Sequence, residues 1–185
     1  MISFIFDEEQ ATEAMVFLLG KSGGSMNYMK AIKMLYLADR DSLSMGHNSI
    51  TTDSYKSLPR GPVTSNILDC IRWNVGEEWN EHIRTNGYLI EIYKDVKSFE
   101  KLSRYDMETI DAVYEKYKDY TPWELVDYCH TLGEWEDPHG SSIPLSIESI
   151  IDNSVGEDRK SIILNELLEC SLIQKNNYKL EKRLY

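Results

Sequence analysis

Asp127 and His130 lie three residues apart on one face of a predicted helix. A carboxylate that orients an imidazole is half of a nucleophilic catalytic arrangement, and Asp39 is a second carboxylate that could join it. The third role, a nucleophile in a recognisable turn, has no candidate. Cys129 adjoins His130, but neighbouring residues on a helix point apart. The bland reading of His130 is a histidine held by hydrogen bonds near the core. None of His47, His82, His130 and His139 belongs to a helical metal pair. His130 and His139 bracket Glu134, Glu136 and Asp137, which are metal-binding residue types at a spacing that matches no standard site. No metal and no cofactor is expected.

The stretch KMLYLADRD poses a different problem. Met29, Ile32, Tyr36 and Leu43 fall at helical spacing, and Asp39 fills the missing step of that apolar face. A buried carboxylate is costly unless it is paired or hydrogen-bonded. Arg60-Gly61-Pro62 offers one partner. The proline drives Gly61 towards extended geometry, which fixes an arginine suited to a carboxylate. His130 and the backbone amides of Thr51-Thr52 are the other two. Asp39 is expected to clasp one of these and so fix how its helix meets the Gly-Pro turn. Asp39, Arg60, Gly61, Pro62, His130 and Trp135 form the expected structural cluster, with no catalytic residue among them.

The elements that must position these residues read as follows. Asp7 and Gln10 form a capping pair for a helix over 8–19, and a second helix over 27–44, closed by Gly46, carries KMLYLADRD. Thr51-Thr52-Asp53 starts a short helical turn reaching Leu58, and Pro62 opens a helix over 63–74. Residues 88–93 alternate as a strand, and Ile2, Phe4 and Phe6 are its first candidate partner. Ser103 caps a helix over 103–118, and Thr121-Pro122 opens another that ends near Leu132-Gly133. Residues 134–142 form a polar loop, followed by helices over 146–153 and 158–169. Asn176-Asn177 lies between two apolar-polar runs and reads as the tight turn of a hairpin over 172–180. The expected fold is mainly α (α+β), a helical bundle with a short β element and a winged-helix-like C-terminal helix and hairpin. Its division is a core over 1–153 and an extension over 154–185 packed on it.

The formal net charge of −11 opposes nonspecific binding to phosphate backbones and suits a basic partner. Cys70, Cys129 and Cys170 are odd in number and far apart, which argues against a disulfide scaffold or a zinc site. No apolar run approaches about 18 residues, and MISFIF runs straight into DEEQ without basic residues, so neither a membrane span nor a signal peptide is expected. A reducing cytoplasm fits. Twelve tyrosines and four tryptophans are enough for an aromatic interface, although most stand at core spacing.

Lys33-Met34-Leu35-Tyr36-Leu37-Ala38-Asp39, then Gly46, Ile50-Thr51-Thr52-Asp53-Ser54-Tyr55 and Gly61-Pro62-Val63 resemble the first half of the Panacea domain, the SocA-like or GepA antitoxin-associated domain. Ile110-Asp111, Thr121-Pro122-Trp123-Glu124-Leu125, His130, Trp135 and the helix over 143–151 resemble its second half. Cys129 stands where that family usually has threonine, and His47-Asn48-Ser49 where proline and leucine are common. The resemblance implies an antitoxin that neutralises a cognate toxin encoded nearby by direct binding, or an adaptor that delivers its toxin to a protease. It supplies no catalytic residues. Two alternatives stay open beside it. One is a DNA-binding autoregulator that reads operator DNA with Arg159 and Lys160 on a recognition helix and Lys175 and Lys179 on a wing, opposed by Glu157, Asp158, Glu166 and Glu169. The other is a hydrolase built on Asp127, His130 and Asp39. A homodimer is compatible with all of them.

Overall fold

A computed structural model of the chain describes residues 1–182. Among these residues the elements run α1 (Glu8–Lys21), β1 (Ser25–Asn27), α2 (Tyr28–Ser44), β2 (Tyr55–Leu58), β3 (Gly61–Thr64), α3 (Ser65–Trp73), α4 (Glu77–His82), β4 (Ile83–Asn86), β5 (Leu89–Ile92), α5 (Arg104–Tyr117), α6 (Pro122–His130), β6 (Ile143–Leu145), α7 (Ile147–Ser154) and α8 (Glu157–Glu181). The fold is mainly α, with two small antiparallel sheets of order β1-β5-β4 and β3-β2-β6.

Short polar side chains set most helix starts. Asp7 accepts from the Gln10 N–H, Ser146 from Ser149, and Ser103 and Thr121 form reciprocal capping boxes with Asp106 and Glu124. Pro122 occupies the first turn of α6, where its missing N–H costs nothing. Such caps contribute about 1 kcal/mol each.

Helix α2 is the hub. It packs against α1, α5, α6, α7, α8 and β3, so it is covered nearly all round. Ala31, Leu35, Tyr36 and Leu43 are fully enclosed on it, and so are the polar Lys33, Asp39 and Ser42. The buried face leaves no solvent for Lys33, Asp39 and Ser42, so these must find partners inside the protein.

Four expectations are corrected. The segment leading to Leu58 is not a helical turn but strand β2, with Tyr55 and Ser57 buried and Lys56 and Leu58 partly exposed. The following helix starts at Ser65, and Pro62 belongs to β3 opposite Ser57. This strand lies at the sheet edge, the position where a residue without an N–H is tolerated. Strand β5 pairs with β4 and β1, and not with Ile2, Phe4 and Phe6. That N-terminal segment docks on α8 instead. Gln174 exchanges hydrogen bonds with the Ile5 backbone at 2.7 and 3.1 Å, and the Ser171 hydroxyl donates to the Ser3 carbonyl at 2.8 Å.

The fourth correction follows from that contact. The hairpin over 172–180 and its winged-helix reading do not hold, because α8 runs unbroken for 25 residues through Asn176-Asn177. Asparagine tolerates a turn without demanding one, and tertiary contacts override weak propensity. Two of the four proposed DNA contacts, Lys160 and Lys175, are engaged elsewhere. Lys160 pairs with Glu157 at 2.5 Å and with Asp152 at 3.8 Å, and Lys175 donates to Ser3 Oγ at 2.9 Å.

Candidate functional site

The signature residues of α2 face three neighbouring polar centres. In the first, Asp39 is wholly buried. Its Oδ1 accepts from the Thr51 N–H at 2.9 Å; its Oδ2 accepts from the Thr51 hydroxyl and, at 3.0 Å, from the Tyr55 hydroxyl. Of the three partners read from the sequence, the backbone of the Thr51 turn is the one Asp39 takes. Burial outweighs these bonds and pushes the Asp39 carboxyl up to about 6.

The same turn carries a second buried carboxylate. Asp53 accepts from the Ser54 N–H at 2.7 Å, from the Asn66 N–H at 2.8 Å and from the Ile67 N–H at 2.9 Å. It thereby caps α3, whose own N-cap residue Thr64 makes no capping bond. Burial raises its carboxyl to about 6 as well. Between the two aspartates, Thr52 adopts a positive φ of 52° and accepts from the Asp7 N–H at 2.8 Å. Gln10 donates to the Ile50 carbonyl at 2.7 Å. Residues 50–53 therefore tie together the start of α1, the middle of α2 and the start of α3.

In the second centre, buried Glu134 accepts from the Tyr36 hydroxyl at 2.9 Å and from Arg40 Nε at 2.6 Å. A further Arg40 nitrogen reaches Glu134 at 3.3 Å and the Asn153 carbonyl at 3.3 Å. Trp135 follows, donates to the Leu58 carbonyl at 3.0 Å and stacks on His130 with ring centres 4.1 Å apart. The loop after α6 is thus clamped to α2 and β2 at once.

The third centre is Lys33. It is 1% exposed, and its Nζ donates one long hydrogen bond, 3.5 Å, to the Pro62 carbonyl. Burial lowers its pKa to about 8. Gly61 packs against it with a φ of 98°, and a Cβ there would lie 2.7 Å from Nζ and 3.2 Å from the Cys129 Cβ. Burial pushes the Cys129 thiol up to about 11, which keeps it protonated at neutral pH.

The structure gathers Gly61, Pro62, His130 and Trp135 around β3 and the end of α6, and places Asp39 in the separate Thr51 centre. Arg60 does not reach Asp39. It is exposed and lies over the Trp123 ring, 5.1 Å from its centre. Asp127 is exposed, and among the described residues no hydrogen bond joins any two of Asp39, Asp127 and His130. Asp53, Glu134 and Lys33 are site residues that the structure adds to those expected from the sequence. The sequence signal for the first two is a carboxylate in a turn followed by a strand or an aromatic; for Lys33 it is a cation on the apolar face of α2.

No helix among the described residues is long and apolar enough to cross a membrane. A family model for the antitoxin SocA-like Panacea domain matches residues 32–136, more than half of the chain and all six residues of the expected cluster. No curated protein and no solved structure matches the chain.

Proposed function

The chain belongs to the antitoxin SocA-like Panacea family, and from that premise we propose that it neutralises a cognate toxin by direct protein–protein binding. One observation carries the reading beyond membership. The carboxylates of the family's signature stretch are spent on internal hydrogen bonds that fix turns to helices. Such groups build a scaffold, and recognition then falls to the surface. Several large side chains lie on that surface: Trp73 is 71% exposed, Tyr88 72% and Trp123 57%. Exposed tryptophan and tyrosine are the residue types that dominate protein–protein hot spots.

The family supports a non-catalytic role, and the separation of Asp39, Asp127 and His130 gives no support to a hydrolase. The continuous helix in place of a wing weakens the reading as a DNA-binding autoregulator. Delivery of the toxin to a protease requires the same binding step and is compatible with it. The test is co-expression with the adjacent open reading frame. The neighbour alone should arrest growth and the pair should grow; a neighbour that stays toxic in the presence of this protein contradicts the proposal.

A further inference from the structure

One groove departs in character from the rest of this acidic chain. It is lined by Lys33, Arg60 and Arg72 together with Tyr28, Met29, Ile32, Leu58, Val63 and Leu68, and, among the described residues, by no carboxylate. Among the described residues neither Arg60 nor Arg72 forms an ion pair. Three basic residues therefore line one small space in a protein of net charge −11.

Lys33 is the unusual member. An ammonium has three protons to donate, and this one, 99% enclosed, has among the described residues a single acceptor at the limit of hydrogen-bond distance. A buried cation left in that state costs several kcal/mol unless something arrives to complete it. His130, which like Lys33 lies against Gly61, has a buried Nε2 without a partner among the described residues. At the mouth, Arg60 is held over Trp123 by stacking, which orders its guanidinium before any ligand arrives. The cavity of about 50 Å³ has room for only a few water-sized groups of about 10–15 Å³ each, which suits a carboxylate and excludes a nucleotide base. The apolar walls, Met29, Ile32, Val63 and Leu68, fit the methylene stem that carries such a carboxylate.

We propose that this groove is the anchor point for the toxin, and that it takes an aspartate or glutamate side chain of that partner protein, held by Lys33 at the base and by Arg60 and Arg72 at the rim. The inference rests on the antitoxin reading and names the chemistry of its interface. Its charge is complementary to an acidic side chain, and the combination of arginine with exposed tryptophan is that of an interface hot spot.

The experiment titrates the purified product of the adjacent open reading frame into the full chain and into two variants, by calorimetry at two salt concentrations. R60E/R72E changes exposed residues only; it should keep the wild-type circular dichroism and melting temperature, and lose about 100-fold in affinity. Lys33→Met removes the enclosed charge; it should melt no lower than wild type at neutral pH and still bind more weakly. Wild-type binding should weaken with salt. Unchanged affinity in both variants overturns the groove as anchor while leaving the antitoxin reading intact. A Lys33→Met protein that melts lower but binds normally assigns Lys33 to structure alone and likewise overturns it. A change in the oligomeric state of free R60E/R72E would place a second copy of the chain in the groove and overturn the toxin as occupant. A wild-type chain that neither binds nor neutralises the neighbour overturns the antitoxin reading and this inference together.

Discussion

The Asp39 carboxylate, wholly buried on α2, accepts the Thr51 N–H at 2.9 Å across 12 residues of sequence. The turn over 50–53 then passes the constraint on, because Asp53 caps α3 and Thr52 holds the entry to α1. Asp39→Ala leaves a buried N–H and two hydroxyls without their acceptor and opens a cavity. We expect a loss of about 3 kcal/mol in urea denaturation. Asp39→Asn keeps the shape and one acceptor, and should cost under about 1.5 kcal/mol at pH 7 because it also removes a buried charge. Equal costs for the two variants would contradict the assignment.

Acid should stabilise this protein over a defined window. Asp39 and Asp53 titrate near 6 in the folded chain against 3.8 when unfolded. Between those values the folded state holds more protons, so stability rises as pH falls through the window. A difference of about two units corresponds to about 3 kcal/mol per group. Melting temperature should therefore increase from pH 7 to about 5, and Asp39→Asn should flatten that rise. A wild-type melting temperature that falls steadily over the same range would refute it.

Gly61 combines a φ of 98° with close contact to Lys33 and Cys129. Gly61→Ala should destabilise by about 1–3 kcal/mol. Lys33→Met in the same chain should recover part of the loss, since the ammonium end is one of the two obstacles. The backbone strain should remain. A double-mutant cycle by chemical denaturation measures both; full additivity would mean that Gly61 and Lys33 do not touch in solution.

Buried Glu134 joins Tyr36 to the partly exposed Arg40. Glu134→Ala strands a half-buried guanidinium and a buried tyrosine hydroxyl and should cost about 2–3 kcal/mol. Because the same loop carries Trp135 onto Leu58, its tryptophan fluorescence should shift to the red in the folded variant. An unshifted spectrum with near-native stability would show that the clamp is dispensable.

The parts that sequence made legible are those with local causes. Asp7, Ser103, Thr121 and Ser146 were readable as caps because each meets a partner three residues on. The burial of Asp39 follows from helical spacing, and the Thr51-Thr52 turn is one of the three partners that the sequence offers it. The β3-β2-β6 sheet is not legible in the sequence, because its strands are three or four residues long and two of them contain a proline. Arg60 looked like a partner for Asp39 because sequence fixes neither distance nor direction; folding turned it outwards onto Trp123. The end of α8 misled for another reason. Asn176-Asn177 has turn chemistry, but the helix gains contacts to Ser3 and Ile5 that lie about 170 residues away in the chain.

That last correction has its own test. Backbone chemical shifts over 172–180 should be helical, and Asn177→Ala should be neutral or stabilise by about 0.5 kcal/mol. Strand-like shifts there would restore the hairpin.

We propose that this chain silences a toxin by binding it. The most direct measurement mixes the purified product of the adjacent open reading frame with increasing amounts of this protein and follows the neighbour's inhibitory activity in a cell-free translation or growth assay. The account predicts that activity falls to zero at a fixed stoichiometry and that the two proteins co-elute as one complex. Full activity at a molar excess of this protein, with no complex formed, would contradict it.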